Sequence, residues 1–226
     1  MKIRMLHFSR ATAVAMVTAI SLWCVHQVSA KDEAANDGGA EGKNRAAMAR
    51  FLAGPIQRLD LEIKEEDVEA LRKEPKRYVE ATIRSDGKVY QGMAVKLKGA
   101  DGSFQPIDGK PCFTIHTDKF KGGERFHGFK KFHLNNARED SSFLRQMVSG
   151  EMARTAGVPA QRCAHANVRL NQRDLGLYVL AEGYTKDFLA QFYADPTGDL
   201  YEGGFCKDID EGLTKDEGDP KDTKAI

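Results

Sequence analysis

The chain has 226 residues, of which 41% are hydrophobic and 30% are charged, a composition sufficient for one folded domain with its own core. Its 34 basic and 33 acidic residues leave a net charge of +1. Because the charges nearly cancel, the composition gives no electrostatic reason to expect nucleic acid or an anionic membrane surface as a partner.

The first thirty residues have the pattern of a secretory signal peptide. Three basic residues precede the apolar stretch from Ala11 to Val25, and the small residues Val28 and Ala30 end it. We expect cleavage after Ala30, and therefore a protein that is secreted, periplasmic or at the cell surface, with no stable membrane span after cleavage. An uncleaved N-terminal anchor is the alternative. Cleavage would leave 31 basic and 33 acidic residues, a net charge of about −2.

Residues 31–45 are polar and glycine-rich, so we expect a disordered linker. Beyond them the apolar residues alternate with polar ones in several short stretches, as in strands with one buried face. Asp86-Gly87 and the turn from Asn171 to Asp174 each favour a hairpin. In chain order the pattern predicts one or two helical turns at 46–52, strands at 57–63, 78–84, 89–98, 110–115, 132–134, 166–170 and 175–182, and helices at 65–74, 141–156 and 185–193. We expect an α+β fold, an antiparallel sheet with helices packed against it.

The helix expected at 141–156 carries the most informative pattern. Asp140 is a natural N-cap, and Gly157 to Pro159 make a normal stop. At 100° per residue, Glu151 falls in the middle of an apolar face formed by Leu144, Met147, Val148, Met152 and Thr155. A carboxylate on an inward face is costly unless it is paired. The pattern therefore predicts a half-buried cation opposite Glu151.

Six segments resemble, in order, the spore-coat protein H (CotH) kinase family. They are GMAVKLKGADGS (92–103), KPCFTIHTD (110–118), KKFHLNNAREDSSFLR (130–145), EMARTAGVPA (151–160), VRLNQRDLGLYVLAEGYTKDFL (168–189) and GDLYEG (198–203). The resemblance runs from about Ile56 to Tyr201. It implies that 46–203 form a CotH-type N-lobe and hinge, similar to a protein-kinase N-lobe, with ATP and Mg²⁺ or Mn²⁺ as cofactors. The family's aspartate-bearing segments, N-N-x-D-like and D-x-D-x-T-F-G-like, are not found, so 204–226 would be an acidic tail at the start of a missing C-lobe.

The resemblance also implies a nucleotide-binding set. A strand lysine, Lys110 first and Lys98 second, would meet Glu151 and hold phosphates. The backbone of the loop from Gly99 to Gly102 would lie over phosphates, although an ordinary loop explains these glycines as well. Glu182 would contact the ribose or anchor the hinge, and Tyr184 would stack on adenine. Either lysine is equally explained as a solvated strand-end residue.

We assign no catalytic residue and no metal ligand. The histidines lack HxxxH or HExxH spacing, and the acidic residues after 207 miss the EF-hand register. Three cysteines, Cys112, Cys163 and Cys206, would remain after cleavage, so at least one thiol is free or pairs between chains.

We expect an exported, truncated relative of an atypical serine protein kinase that is inactive alone. The alternative is a non-catalytic extracellular binding module. Expected partners are secreted or surface proteins, or a separate chain that supplies the C-lobe.

Overall fold

The computed structural model describes residues 39–100, 102–120, 124–202 and 213–217. The residues expected to form a signal peptide, the start of the expected linker and most of the expected acidic tail lie outside these ranges. The chain separates into two units, one ending at Ala46 and one beginning at Ala47. Helix α1 (Ala40–Ala53) begins inside the segment expected to be a linker.

The strands of the second unit up to Glu182 lie close to their expected positions, and the two strands that begin at Leu200 and Thr214 were not predicted. The elements are β1 (Gln57–Ile63), α2 (Glu65–Lys73), β2 (Val79–Ser85), β3 (Lys88–Lys98), β4 (Cys112–His116), β5 (Lys131–Asn135), α3 (Arg145–Thr155), β6 (Cys163–Leu170), β7 (Arg173–Glu182), α4 (Lys186–Leu189), β8 (Leu200–Glu202) and β9 (Thr214–Glu217). Strands β8 and β9 pair with each other as a separate two-stranded sheet.

The seven other strands close into a barrel in the order β1-β2-β3-β4-β5-β7-β6. Neighbouring strands are antiparallel except at one seam, where β1 and β6 run parallel with Leu59 opposite Val168. The expected α+β fold, an antiparallel sheet with packed helices of the protein-kinase N-lobe type, is therefore wrong. The alternation of apolar residues is the same for a sheet covered by helices and for a sheet closed on itself, so the sequence pattern did not separate the two.

Large side chains fill the inside of the barrel. Phe113, Phe132 and Tyr178 are each fully buried, and the Tyr178 hydroxyl donates to the Pro111 carbonyl oxygen at 2.9 Å. A buried phenol needs such a partner, because an unpaired hydroxyl in the core would be costly. These aromatic side chains and the aliphatic residues around them form the core.

A bulge bends β3 around the barrel. Ala81 lies opposite Met93 but Ile83 lies opposite Tyr90, so β3 contains one extra residue. Gly92 supplies it, with a φ of +69° that glycine tolerates without strain. As a result Tyr90 and Met93 are both buried although three positions separate them.

Helix α3 differs most from its expected form. It begins at Arg145, and none of its residues is buried. Leu144, Val148 and Met152 are at least half exposed, so the apolar face predicted to be inward lies outward. The helix contacts β6, and a Cβ added to Gly150 would lie 3.1 Å from the Gln161 carbonyl oxygen. The inward face is therefore the one that carries small and polar residues. Within the described ranges, no helix combines the length and apolar character needed to cross a membrane.

Asn171 fastens the parallel seam at the barrel's closing edge. Its side-chain oxygen accepts from the Ile63 N–H at 2.8 Å, and its amide donates to the Ile63 carbonyl oxygen at 2.7 Å. Its own N–H donates to the Leu61 carbonyl oxygen at 2.9 Å. The turn after β6 is thereby tied to the end of β1.

We predict that Asn171→Gly lowers the free energy of unfolding by about 2 kcal/mol, because two hydrogen bonds at the seam are lost. Glycine keeps the positive φ of this position, so backbone strain does not contribute. Urea unfolding followed by circular dichroism measures the change. Gln172→Gly is the matched control, since Gln172 also has positive φ and is exposed. Equal midpoints for both variants would contradict the proposed role of the Asn171 side chain.

Candidate functional site

A cavity of about 400 Å³ lies where β3 and β5 end and α3 begins. This size falls within the usual range for a small-molecule site. The residues around it are mostly polar and come from sequence-distant segments. They are Lys98, Ser103, Cys112, Asn135, Asn136, Ala137, Arg138, Glu139, Asp140, Arg145, Gln146, Ser149 and Val179.

Lys98, the last residue of β3, is the half-buried cation of this cavity. Among the described residues, its one hydrogen bond goes to the Asn135 side-chain oxygen, at 3.0 Å, and no carboxylate lies within ion-pair distance of it. Burial lowers the pKa of Lys98, with the charges of Lys131 and Lys76 acting in the same direction. The proximity of Cys112 and Glu202 raises it in part. An anion entering the cavity would offset the free-energy cost of burying this ammonium away from water.

Asn135 connects Lys98 to helix α3. Its amide nitrogen donates to the Gln146 side-chain oxygen at 2.8 Å. Lys98, Asn135 and Gln146 therefore form a relay of two hydrogen bonds that joins β3, β5 and α3. All three members line the cavity.

Asn136 has a structural role next to this relay. It is 4% exposed, and its amide nitrogen donates to the carbonyl oxygens of Ser103 and Lys110 at 3.0 and 2.8 Å. Its side-chain oxygen accepts from the Arg138 N–H at 3.1 Å. These bonds join two loops, the one between β3 and β4 and the one between β5 and α3.

Asp140 organises the approach to α3, although the helix begins later than expected. Its carboxylate accepts from the Arg145 N–H at 2.7 Å and from the Ser142 hydroxyl at 2.5 Å. The Ser142 hydroxyl and the Arg145 N–H keep the pKa of Asp140 below its ordinary value. Ala137 and Phe143, on either side, have φ of +52° and +58°, unusual for residues with side chains. The turn is thus held in a strained conformation by contacts around it.

The structure does not bring Glu151 to either candidate lysine. The Glu151 side chain is 71% exposed and pairs with Arg154, three residues later, at 2.6 Å. Lys110 instead donates to the Leu177 carbonyl oxygen at 2.8 Å. Its ammonium lies 5.0 Å from the ring centres of both Phe143 and Tyr178. The expected Lys110–Glu151 ion pair is absent because the outward face of α3 carries Glu151.

The described residues around Gly99 and Gly102 are held by contacts within the protein. The N–H groups of Ser103 and Phe104 both donate to the Ala100 carbonyl oxygen, at 3.2 and 2.9 Å. The Glu139 carboxylate occupies the place where a side chain at Gly102 would start. Glycine is needed at Gly102 for this close approach, and a carboxylate beside it opposes a phosphate.

Glu182 anchors the end of β7. It is 2% exposed, and Arg162 binds its two oxygens at 3.0 and 2.9 Å. The Gln191 amide donates to the same carboxylate at 2.7 Å. Arg162 and Gln191 therefore provide hydrogen bonds to the Glu182 carboxylate. Of the two roles suggested by the sequence, contact with the ribose and anchoring of the chain, this geometry favours anchoring.

Tyr184, just after β7, lines a second cavity of about 390 Å³. Its ring packs edge-on against Phe188 with the centroids 5.0 Å apart. The other residues of this aromatic groove are Pro159, Leu189, Tyr193, Leu200, Tyr201 and Glu202. Glu202 lines the groove, and its negative charge also raises the pKa of Lys98 in part.

Sequence reasoning missed Gln146 and gave Asn135 no binding role. Asn135 belongs to the LNN segment that carries the family resemblance, which was the available signal. Gln146 carried no signal, because its role depends on the direction in which α3 is turned. No group of three or more His, Cys, Asp or Glu side chains within the described part of the chain is arranged to hold a metal ion.

Comparison with protein families supports the resemblance. The family model described as "CotH kinase protein" matches residues 99–226, more than half of the chain and beyond the expected limit at Tyr201. No curated protein matches the sequence.

We predict that Arg162→Met lowers the free energy of unfolding by about 3 kcal/mol or more, because it leaves Glu182 buried without its cation. The double variant Arg162→Met/Glu182→Leu should recover part of that loss. Glu151→Gln is the control at an exposed ion pair and should cost less than about 1 kcal/mol. Chemical denaturation measures all three. Equal losses for Arg162→Met and Glu151→Gln would contradict the anchoring role.

Proposed function

Because the chain belongs to the CotH kinase family, we propose that it binds the phosphates of a nucleotide, ATP first among them, at Lys98. The observation that carries the proposal is the half-buried ammonium of Lys98, which has an amide as its hydrogen-bond partner. Buried cations usually have an anionic partner, since desolvation disfavours an isolated charge. A phosphate is the anion that a kinase family would supply.

The residues around the cavity fit this ligand. A lysine ammonium has three N–H donors, and Asn135 takes one of them. Arg138 and Arg145 line the same cavity and add positive charge near its opening. Two carboxylates of the cavity, Glu139 and Asp140, oppose a phosphate; Glu139 lies at Gly102, and Asp140 is hydrogen-bonded within its own turn. The phosphates therefore fit best at the Lys98 end.

We place the nucleotide base in the neighbouring aromatic groove, against Tyr184. Aromatic faces suit a flat heterocycle, and the charge of Glu202, which lines the groove, acts on Lys98. Lys110 is not part of this arrangement, because its ammonium is held by Leu177 and two aromatic rings.

ATP supplies the phosphoryl group that kinases transfer. The contribution we propose for this chain is to bind and orient the phosphates. The described residues do not form a metal site, so we assign no step to Mg²⁺ or Mn²⁺. Serine side chains of secreted or surface proteins remain the acceptor that the family resemblance suggests.

We predict that the full chain binds Mg²⁺-ATP in isothermal titration calorimetry and that Lys98→Ala weakens binding at least about tenfold, since a charge-assisted contact with phosphate is lost. Lys64→Ala is the control, because the Lys64 side chain is 77% exposed and lies just before α2, outside the cavity. Inorganic triphosphate separates the two parts of the proposal. Lys98→Ala should weaken triphosphate and ATP alike, whereas Tyr184→Ala should weaken ATP only.

Two results would contradict this function. Unchanged affinity in Lys98→Ala would remove Lys98 from the site. No detectable binding of ATP or triphosphate by the unmodified chain would favour the non-catalytic binding module instead.

We also propose that the protein is exported and cleaved after Ala30, on the basis of the basic residues and the apolar stretch before that position. We predict that N-terminal sequencing of the protein from an extracytoplasmic fraction begins at Lys31. A membrane-bound form that retains Met1 would show that the stretch from Ala11 to Val25 is an anchor.

A further inference from the structure

Helix α3 is connected to Lys98 through two amide side chains, Asn135 on β5 and Gln146 on α3, where the sequence had suggested a carboxylate. Glu151 is turned outward to Arg154, and Gln146 is the α3 side chain that reaches toward the lysine, through Asn135. Gln146 is half-buried and lies in the first turn of α3. The helix is therefore connected to the strand lysine by neutral groups alone.

The chemistry of the three side chains fixes the direction of this relay. A lysine ammonium only donates hydrogen bonds, so the Asn135 atom that faces it must be the oxygen. The Asn135 amide nitrogen then faces Gln146 and needs an acceptor, which is the Gln146 oxygen at 2.8 Å. If Gln146 offered no acceptor, the Asn135 amide would be free to turn, and its oxygen would no longer be held toward Lys98.

A neutral relay has a different electrostatic effect from an ion pair. A carboxylate beside Lys98 would neutralise its charge and compete with an incoming phosphate. An amide oxygen orients the ammonium and leaves its full charge available to an anion. This distinction matters in a half-buried cavity, where charges interact more strongly than in bulk water.

We propose that Gln146 is a positioning residue for phosphate binding, which holds the Asn135 amide so that the Lys98 ammonium is directed into the cavity with its charge intact. The inference rests on the proposed nucleotide site, and it adds a role for helix α3 in that site. Gln146 acts through Asn135, with no contact to the ligand assumed.

Gln146→Glu tests the charge. The new carboxylate has nearly the same shape and still accepts from the Asn135 amide, but it adds a negative charge near Lys98. We expect Mg²⁺-ATP and inorganic triphosphate each to bind about tenfold more weakly. Gln91→Glu is the matched control, because it adds the same charge at an exposed position seven residues away along β3.

Gln146→Met tests the orientation. Methionine has a similar volume, but its sulfur is only a weak acceptor. The Asn135 amide nitrogen therefore loses its hydrogen bond to residue 146. We expect a smaller loss of affinity, about threefold to fivefold, and unchanged affinity for the control Gln91→Met, which makes the same substitution at an exposed position outside the cavity. Thermal melting by circular dichroism shows that each variant is folded before binding is compared.

The titration of Lys98 provides a measurement that a merely structural role would not change. The groups that face Lys98 are Cys112, Glu202, Lys76, Lys131 and His133, and all are the same in each variant. Nuclear magnetic resonance of isotopically labelled lysine, with the Lys98 signal assigned through Lys98→Arg, should show a higher pKa of Lys98 in Gln146→Glu than in the unmodified chain. Gln91→Glu should leave this pKa unchanged.

The outcomes separate this inference from the proposed function. If Lys98→Ala weakens binding but Gln146→Glu binds normally with an unchanged Lys98 titration, the positioning role is overturned and the nucleotide site stands. If the unmodified chain binds neither ATP nor triphosphate, both are overturned. Loss of affinity in Gln146→Glu together with a raised Lys98 pKa supports the role of Gln146.

Discussion

The parallel pairing of β1 with β6 is the constraint on which the rest of the second unit depends. Without it, the seven strands would form an open sheet with two exposed edges and one uncovered apolar face. With it, the sheet closes and its side chains fill the interior. Closure also sets the positions of the strand ends, since strand tilt and stagger in a barrel are linked. Strands β3 and β5 end at the same side of this barrel, where Lys98 and Asn135 lie, because each is antiparallel to β4 between them.

The sequence predicted the individual strands of the barrel because apolar and polar residues alternate along each of them. The bounds of β1 agree with the expected strand, and both hairpin turns were identified from their turn residues. The seam between β1 and β6 had no such signal. It joins residues about a hundred positions apart, and its pairing is set by the curvature of the whole sheet, including the bulge at Gly92.

The candidate site was predictable in part for a similar reason. Lys98 and the LNN segment lie in the blocks that resemble the family, and the structure brings Lys98 and Asn135 together. The choice of Glu151 failed because it assumed that apolar side chains of α3 face inward. Helix α3 instead approaches the barrel through Gly150 and Arg154, whose guanidinium donates to the Gln161 carbonyl oxygen at 2.5 Å. Close backbone approach and hydrogen bonding outweigh hydrophobicity at this contact.

The anchoring of Glu182 affects the segment that follows it. The Glu182 N–H donates to Arg162 and the Gly183 N–H to Lys131, both at 2.9 Å, and the Thr185 hydroxyl accepts from the Phe188 N–H at 3.4 Å. Tyr184 lies between these fixed points, so its backbone has little freedom to lose when a ligand enters the aromatic groove. The groove is therefore preorganised, and a flat ligand would bind it with little entropic cost from ordering the protein.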